Sequence, residues 1–256
     1  MARDDLHESA DIVRHKKPKE RGFELAHGDE ALINAVTEHF TRHIGEPEHV
    51  YHEMVSDLIH LDVHFIPPSN EHPYYTAFTT GMAERAMQAP EGAEEFTHAE
   101  LMIKLPETWR TDFTDEFLEL PEAEQQRHFW PIGVMKTLAR FPHEYQTWLY
   151  SGHTVPNGDP PAPFADDTQM ACALLTPPMI ESEDFGTVEL ADGRRVFILQ
   201  LLPIGAGETE YKLRNGVETL IDLFQEQGVG DVVDPGRPDV SGLRARRRRK
   251  KFLGLF

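Results

Sequence analysis

The stretch LIHLDVHFIPPS, residues 58–69, places three side chains that can bind metal ions in a regular pattern. His60, Asp62 and His64 occupy every second position, so on a β-strand all three point to the same face. Imidazole and carboxylate groups are zinc ligands, but Cβ atoms at alternate strand positions lie roughly 7 Å apart. His60 and His64 could therefore share an ion only if the strand bends or a further ligand joins them. Further possible ligands are His52, Glu53, His72, His98, Glu100 and His153.

Two interpretations of this face remain open. One is a metal-dependent enzyme that uses His60, Asp62 and His64. The other is a row of hydrogen-bonded surface side chains opposite a core face formed by Ile59, Leu61, Val63 and Phe65. The second is favoured, because a chain with 14 histidines forms such clusters by chance and none of them has a recognised metal-binding spacing.

Other signatures of catalysis are missing from the sequence. It has no P-loop, no G-x-G-x-x-G and no G-x-S-x-G motif. Its single cysteine, Cys172, lies in the apolar run MACALLT, which favours burial over nucleophilic chemistry. We therefore predict no catalytic residues and no cofactor.

Charge is distributed unevenly along the chain. The formal net charge is −19, yet the block RARRRRKK, residues 244–251, holds seven of the 25 basic residues and no acid. The rest carries 18 basic and 44 acidic residues, or −26. Such a body repels nucleic acids, whose binding depends on cationic surfaces. We expect the basic tail to lie on the acidic body or on an acidic partner.

The size and hydropathy of the chain indicate one main domain. No apolar run approaches the ~20 residues that a membrane helix needs, and the first residues alternate in charge, which predicts a cytoplasmic protein without a membrane partner. The predicted organisation is a flexible N-terminal arm at residues 1–27, a domain at residues 28–240 and a basic tail at residues 241–256.

The predicted elements favour an α+β fold with a mixed, mainly antiparallel sheet packed with helices. Asp29 is expected to cap a first helix over EALINAVTEHFTRHI, and Asp192-Gly193 to form a hairpin turn. A rigid loop is expected at residues 155–164 and a single last helix over ETEYKLRNGVETLIDLFQEQ. The predicted strands are HVYHEMV, LIHLDVHFI, YYTAFTTG, AELMIKL, MACALLT, TVELADG and RVFILQLLPI, and the other predicted helices are DEFLEL, PEAEQQRHFW, PIGVMKTLARF and PHEYQTWL, of which the last three begin at prolines.

Four segments carry a resemblance to a known family. They are HLDVHFIPPSNEHPYYTAFTTGMAERAM, AELMIKLP, FWPIGVMKTLARFPHEYQTWLYSGHTVPNG and DFGTVELADGRRVFILQLLPI, and they follow one another in the family's order. Together they resemble the Suppressor of fused domain family in its bacterial branch, over residues 29–240. The resemblance implies a single Suppressor of fused-like domain. The animal family member has a second domain for which this chain has no room.

The resemblance also implies a function. The animal family member is a non-enzymatic regulator that holds a transcription factor through an extended peptide, and for bacterial relatives an immunity role is implied, in which an acidic protein neutralises a toxin. The expected partner is another protein, and the candidate binding residues lie in the shared motifs. For Tyr74 and Tyr75, both packing in the sheet and exposure as aromatic anchors remain open. The candidates are Tyr74, Tyr75, Thr79, Gly81, Met82, His143, Glu144 and His153.

Overall fold

A computed structural model describes residues 12–15, 18, 21–53, 55–180, 182 and 184–243 of the 256-residue chain. Its helices are α1 (Glu30–His43), α2 (Asp115–Leu118), α3 (Glu122–Tyr145), α4 (Ala206–Asn215) and α5 (Val217–Gln227). Its strands are β1 (His49–His52), β2 (Asp62–Ile66), β3 (Tyr74–Thr80), β4 (Ala99–Pro106), β5 (Thr154–Pro156), β6 (Met170–Thr176), β7 (Thr187–Glu189) and β8 (Arg195–Gly205). Short 3₁₀ turns follow β3 at Met82–Glu84 and precede β4 at Glu94–Phe96.

The eight strands form one mixed sheet. Its order is β1-β2-β3-β4-β8-β6-β5, and β7 pairs with β8 beside this path. Only β4 and β8 run parallel among the described strand pairs, and all the others are antiparallel. The predicted fold class is therefore confirmed, although β5 includes Val155 and Pro156, where the sequence predicted a loop.

Helices cover both faces of this sheet. On one face, α3 packs Trp130, Ile132, Met135 and Leu138 into the largest core cluster. On the other face, α1 covers β2, β3 and β4, while α4 and α5 cover β6 and the end of β8. Cys172 of β6 is buried under the helices on this second face, as predicted. No helix in the part of the chain that the structure describes is long and apolar enough to cross a membrane.

The predicted helix cap at Asp29 and the predicted hairpin turn at Gly193 are both present. Asp29 has an extended backbone and accepts a hydrogen bond from the Leu32 N–H, which satisfies one free donor of the first turn of α1. Gly193 has a φ of 87°, and the hairpin is closed by hydrogen bonds from the Leu190 N–H to the Arg194 carbonyl and from the Gly193 N–H to the Leu190 carbonyl.

Two helix predictions are wrong. The three predicted helices that begin at prolines are one continuous α3, with Pro131 and Pro142 inside it. The predicted last helix is divided into α4 and α5 by Gly216, whose φ of 87° and ψ of 158° only glycine adopts readily.

The described end of the chain is fixed on the sheet. Val233 donates its N–H to the Lys104 carbonyl, and the buried Lys104 ammonium lies 2.6 Å from Asp231. Arg237 likewise makes two hydrogen bonds to the buried Glu208 carboxylate. The basic tail predicted after this segment lies outside the described residues from position 244 onward.

Candidate functional site

The β2 part of the opening histidine stretch is interior, whereas His60 before it is partly exposed. Every residue of β2 is buried, because α1 covers the face that was expected to be wet. His64 stacks on Phe78 with ring centroids 4.7 Å apart, and Phe78 stacks on Phe40 of α1. The His64 Nε2 lies 2.9 Å from the Thr80 hydroxyl, and burial lowers the pKa of His64 to about 4. His64 is thus a neutral core residue.

Asp62 faces two other histidines. Its Oδ1 lies 3.1 Å from His52 Nδ1 and 3.6 Å from His60 Nε2, and the Ser56 hydroxyl lies 3.0 Å from His60 Nδ1. His64 belongs to a different contact set, so the three predicted ligands do not converge on one point. Among the residues that the structure describes, no group of three or more histidine, cysteine, aspartate or glutamate residues could hold a metal ion. The structure therefore does not bring His60, Asp62 and His64 together as one set of ligands.

The most unusual ionisable group is Glu100, near the start of β4. Its side chain is fully buried, and its two oxygens accept hydrogen bonds from the Thr79 hydroxyl (2.6 Å) and from the N–H groups of Gly81 (2.9 Å) and Ala83 (3.0 Å). Burial raises the pKa of Glu100 to about 8, although these bonds act in the opposite direction. Glu100 therefore holds the turn after β3 from inside the protein.

Gly81 occupies the tightest point of this turn. Its φ is 108°, and a Cβ there would lie 1.7 Å from the carbonyl oxygen of His60. Only glycine allows the turn after β3 to pass this close to the segment before β2.

His143, at the end of α3, reaches the same turn from outside the sheet. Its Nε2 lies 3.2 Å from the Met82 carbonyl oxygen, and burial lowers the pKa of the imidazole. The neutral ring can donate one N–H to that carbonyl. The neighbouring Glu144 is half-buried.

The tyrosine pair lies at the other end of β3, about 20 Å away along the strand. Both side chains are half-buried. Tyr75 packs against the core under α3, and the Tyr74 hydroxyl lies 3.1 Å from His72 Nδ1. The ammonium of Lys104 stands 4.8 Å from the centre of the Tyr74 ring.

His153 occupies a third place, next to β5. Its Nδ1 accepts the Tyr150 N–H, and its ring meets Trp148 edge-on at 5.1 Å. The structure therefore brings Thr79, Gly81, Met82 and His143 together but leaves the tyrosines and His153 apart from them. Thr79, Gly81 and Met82 are buried, so they shape the turn and present no side chain to a partner.

Sequence reasoning considered Glu100 only as a spare metal ligand. The signal for its true position was a lone acidic residue inside the apolar strand AELMIKL. Such a residue must either break the strand or find hydrogen-bond donors in the interior. Here the backbone of the next turn supplies these donors.

Comparison with solved structures identifies the same fold in proteins of low sequence identity. A Suppressor of fused homolog from Neisseria gonorrhoeae has a TM-score of 0.58 and 18% identity, with 82% of this chain and 97% of that chain covered. The protein in the Sufu-Fu complex has a TM-score of 0.56 and 17% identity, with 86% and 95% covered. Drosophila Suppressor of Fused has a TM-score of 0.54 and 17% identity, with 87% and 53% covered.

Comparison with curated protein sequences found no match. The family model for Suppressor of fused protein, in contrast, matches residues 57–238. This range contains the Glu100 turn, strands β2 to β8 and all eight candidate binding residues. The chain belongs to the Suppressor of fused family.

Proposed function

We propose that this chain is a non-enzymatic protein-binding module that acts as an immunity protein and neutralises a cognate toxin by direct binding in the cytoplasm. Membership of the family supports the protein-binding part, because the structure of the Sufu-Fu complex contains a protein of the same fold. The acidic surface of the chain supports the choice of a basic partner.

Charge is the observation that carries this proposal. Outside residues 244–251 the chain has a formal charge of −26. An acidic surface segment runs from residue 107 to residue 124, over α2 and the start of α3. It exposes seven carboxylates beside one arginine, Arg110, which pairs with one of them. The seven are Glu107, Asp112, Asp115, Glu116, Glu119, Glu122 and Glu124.

This segment also exposes an apolar side chain, since Leu118 of α2 is 62% accessible among the carboxylates. Acidic rims steer a basic partner toward an interface and select against wrong partners, while a central apolar contact adds affinity after water is excluded. A basic nuclease has the surface that such a site would recognise. The same charge opposes binding of the nucleic acid itself.

The strongly shifted ionisable groups support a non-enzymatic role. Perturbed pKa values often mark catalytic sites. Here Glu100 and His64 are buried and bonded to neighbouring residues, so a substrate cannot reach them. Their contacts hold elements of the fold together.

The candidate residues with partly accessible side chains remain proposals for partner contacts. They are Tyr74, Tyr75, His143, Glu144 and His153. Tyr74 and Tyr75 are the strongest of these, because amphipathic aromatic side chains supply much of the energy in protein interfaces.

The proposal is tested in cells with the product of the reading frame beside the gene for this chain. Expressed alone, that product should stop growth, and co-expression of this chain should restore it. If the neighbouring product is harmless, or if growth stays arrested although both proteins are folded, the immunity role is wrong.

A charge-reversal pair locates the surface. Glu116→Lys with Glu119→Lys should abolish rescue, because both side chains are exposed in the acidic segment. The matched control is Glu218→Lys with Asp222→Lys on α5, which changes the net charge equally and should preserve rescue. If both pairs of substitutions abolish rescue of growth equally, the acidic segment is not the binding surface.

A further inference from the structure

Residues 23–27 run antiparallel to residues 55–58 and are joined to them by one isolated β-bridge, which makes a short ladder of two extended segments. Leu25 pairs with Asp57 in an antiparallel bridge, the Ala26 N–H donates to the Ser56 carbonyl at 3.1 Å, and the Leu58 N–H donates to the Glu24 carbonyl at 3.0 Å. Backbone groups alternate in direction along a strand, so those of Leu25 face away from the ladder. Within the described residues, no hydrogen bond reaches the Leu25 N–H or C=O. The outer edge is open.

Apolar side chains concentrate on one face of this ladder. Phe23 and Leu25 are two residues apart and share a face. Asp57 lies opposite Leu25, so Val55 belongs to the same face and is diagonal to Leu25. The exposed fractions are 63% for Phe23, 54% for Leu25 and 65% for Val55. We call these three side chains with the open strand edge the arm patch.

The charges beside the arm patch are neutralised locally. The two terminal nitrogens of the Arg21 guanidinium, Nη1 and Nη2, donate to the two Asp57 carboxylate oxygens at 2.8 and 2.7 Å. Arg85 pairs with Glu24. On a body of charge −26, these paired carboxylates leave an apolar surface that a second acidic molecule can approach. A basic partner gains less here than at the acidic segment of residues 107–124.

We infer that this chain forms a homodimer in which residues 23–27 of two copies pair in antiparallel fashion across a two-fold axis. An antiparallel edge is self-complementary, so the free N–H and C=O groups of Leu25 meet the same groups of the partner copy. Two ladders then form one four-stranded sheet, and the apolar face of each copy continues into that of the other. The dimer leaves the acidic segment of residues 107–124 outside the strand pairing, so it does not depend on the proposed immunity function.

Salt dependence distinguishes this contact from binding of a basic partner. The pairing itself is apolar and backbone-mediated, whereas the two acidic bodies repel each other. The Debye length falls from about 30 Å at about 0.01 M salt to about 3 Å at about 1 M, which screens that repulsion. The dimer should therefore become tighter as salt rises, while a complex with a basic protein should become weaker.

The test is sedimentation equilibrium of the full chain over a range of protein and NaCl concentrations. We expect a monomer–dimer equilibrium whose dissociation constant decreases as salt increases. Leu25→Asp should weaken the dimer at least about tenfold, because it places two carboxylates at the two-fold axis. Leu25→Pro should weaken it similarly, because it removes the outward N–H.

Leu118→Asp is the matched control, since Leu118 is as exposed as the patch residues but lies in α2. It should leave the dissociation constant unchanged, and circular dichroism melting checks that each variant folds. A chain that is monomeric under all conditions would overturn the inference. So would a dimer that survives both Leu25 variants, that is weakened equally by Leu118→Asp, or that dissociates as salt rises.

Discussion

Glu100 shows how one buried residue can organise the turn after β3, where Thr79, Gly81, Met82 and His143 meet. Its carboxyl group bonds the Thr79 hydroxyl and two backbone N–H groups, and no cation neutralises it among the described residues. A fully buried carboxylate without a cation is costly, which is why burial raises the pKa of Glu100 to about 8. At neutral pH the protonated form predominates.

The protonation of Glu100 predicts a pH dependence of stability. In the unfolded chain its pKa returns to its ordinary value of 4.5, so folding binds a proton between pH 4.5 and about 8. The contribution of Glu100 to stability is complete below pH 4.5 and is lost as pH rises through this window, by at most about 1.4 kcal/mol per pH unit. Glu100→Gln keeps the shape of the side chain but cannot ionise. The variant should therefore become more stable relative to wild type as pH rises.

Urea unfolding at several pH values between 4.5 and 8 measures this difference directly. Glu116→Gln, which replaces an exposed carboxylate, is the control and should follow the wild-type curve. If the Glu100→Gln and wild-type curves run parallel, Glu100 is ionised in the folded protein and the proposed protonation state is wrong.

Residue-scale prediction from sequence succeeded where the rule is local. The Asp29 cap and the Gly193 hairpin depend on backbone groups within a few residues, and both are present. The burial of His64, in contrast, depends on α1. This helix packs over β2 although about 20 residues separate the two elements in the chain. Alternation alone could not reveal that both faces of β2 are covered.

At the scale of elements, α3 shows why proline was a poor guide. Each interior proline removes a helical hydrogen bond and costs about 3 kcal/mol. A large buried apolar side chain contributes roughly 1.5–3 kcal/mol, and α3 buries Trp130, Ile132, Met135 and Leu138 against the sheet. The free energy gained by packing one continuous helical face therefore exceeds the free energy that Pro131 and Pro142 cost the helix.

Whereas α3 continues through its prolines, the last predicted helix is interrupted at Gly216. Isolated glycines are often tolerated in helices, so the apolar periodicity suggested one element. The backbone angles of Gly216 instead end α4 and begin α5 in a new direction. This break lets α5 add Leu220, Leu223 and Phe224 to the core over β6 and β8.

The close approach of the Gly81 turn to the segment before β2 predicts a large effect of Gly81→Val. The new Cβ would overlap the His60 carbonyl oxygen, and a β-branched residue would be strained at a φ of 108°. We expect a loss of roughly 3 kcal/mol or more in the free energy of unfolding.

The variant Gly92→Val separates steric overlap from backbone strain, the two causes of the expected loss. Gly92 also has a positive φ, 87°, but a Cβ at this position would have no heavy atom within 4 Å beyond its chain neighbours. The variant should lose only the strain energy, about 1–2 kcal/mol. Urea denaturation of both variants tests this, and a Gly81→Val protein no less stable than the Gly92→Val protein would contradict the close approach.

At the scale of the whole molecule, composition and fold describe different properties. The order of elements was sufficient to predict a mixed sheet between helices, and the family assignment confirms it. Net charge carries no information about that fold, but it limits the partners that the surface can accept. Sequence could count the carboxylates, whereas the structure places seven of them on one exposed segment around Leu118.

The measurement that tests protein binding through this acidic surface most directly is the association rate constant of the purified chain with its toxin partner, followed by stopped-flow fluorescence as NaCl increases. Electrostatic steering predicts a 1:1 complex that forms much faster at low salt, with the rate constant falling steeply as the Debye length drops from about 30 Å to about 3 Å. An association rate constant that does not change across this salt range would contradict the account.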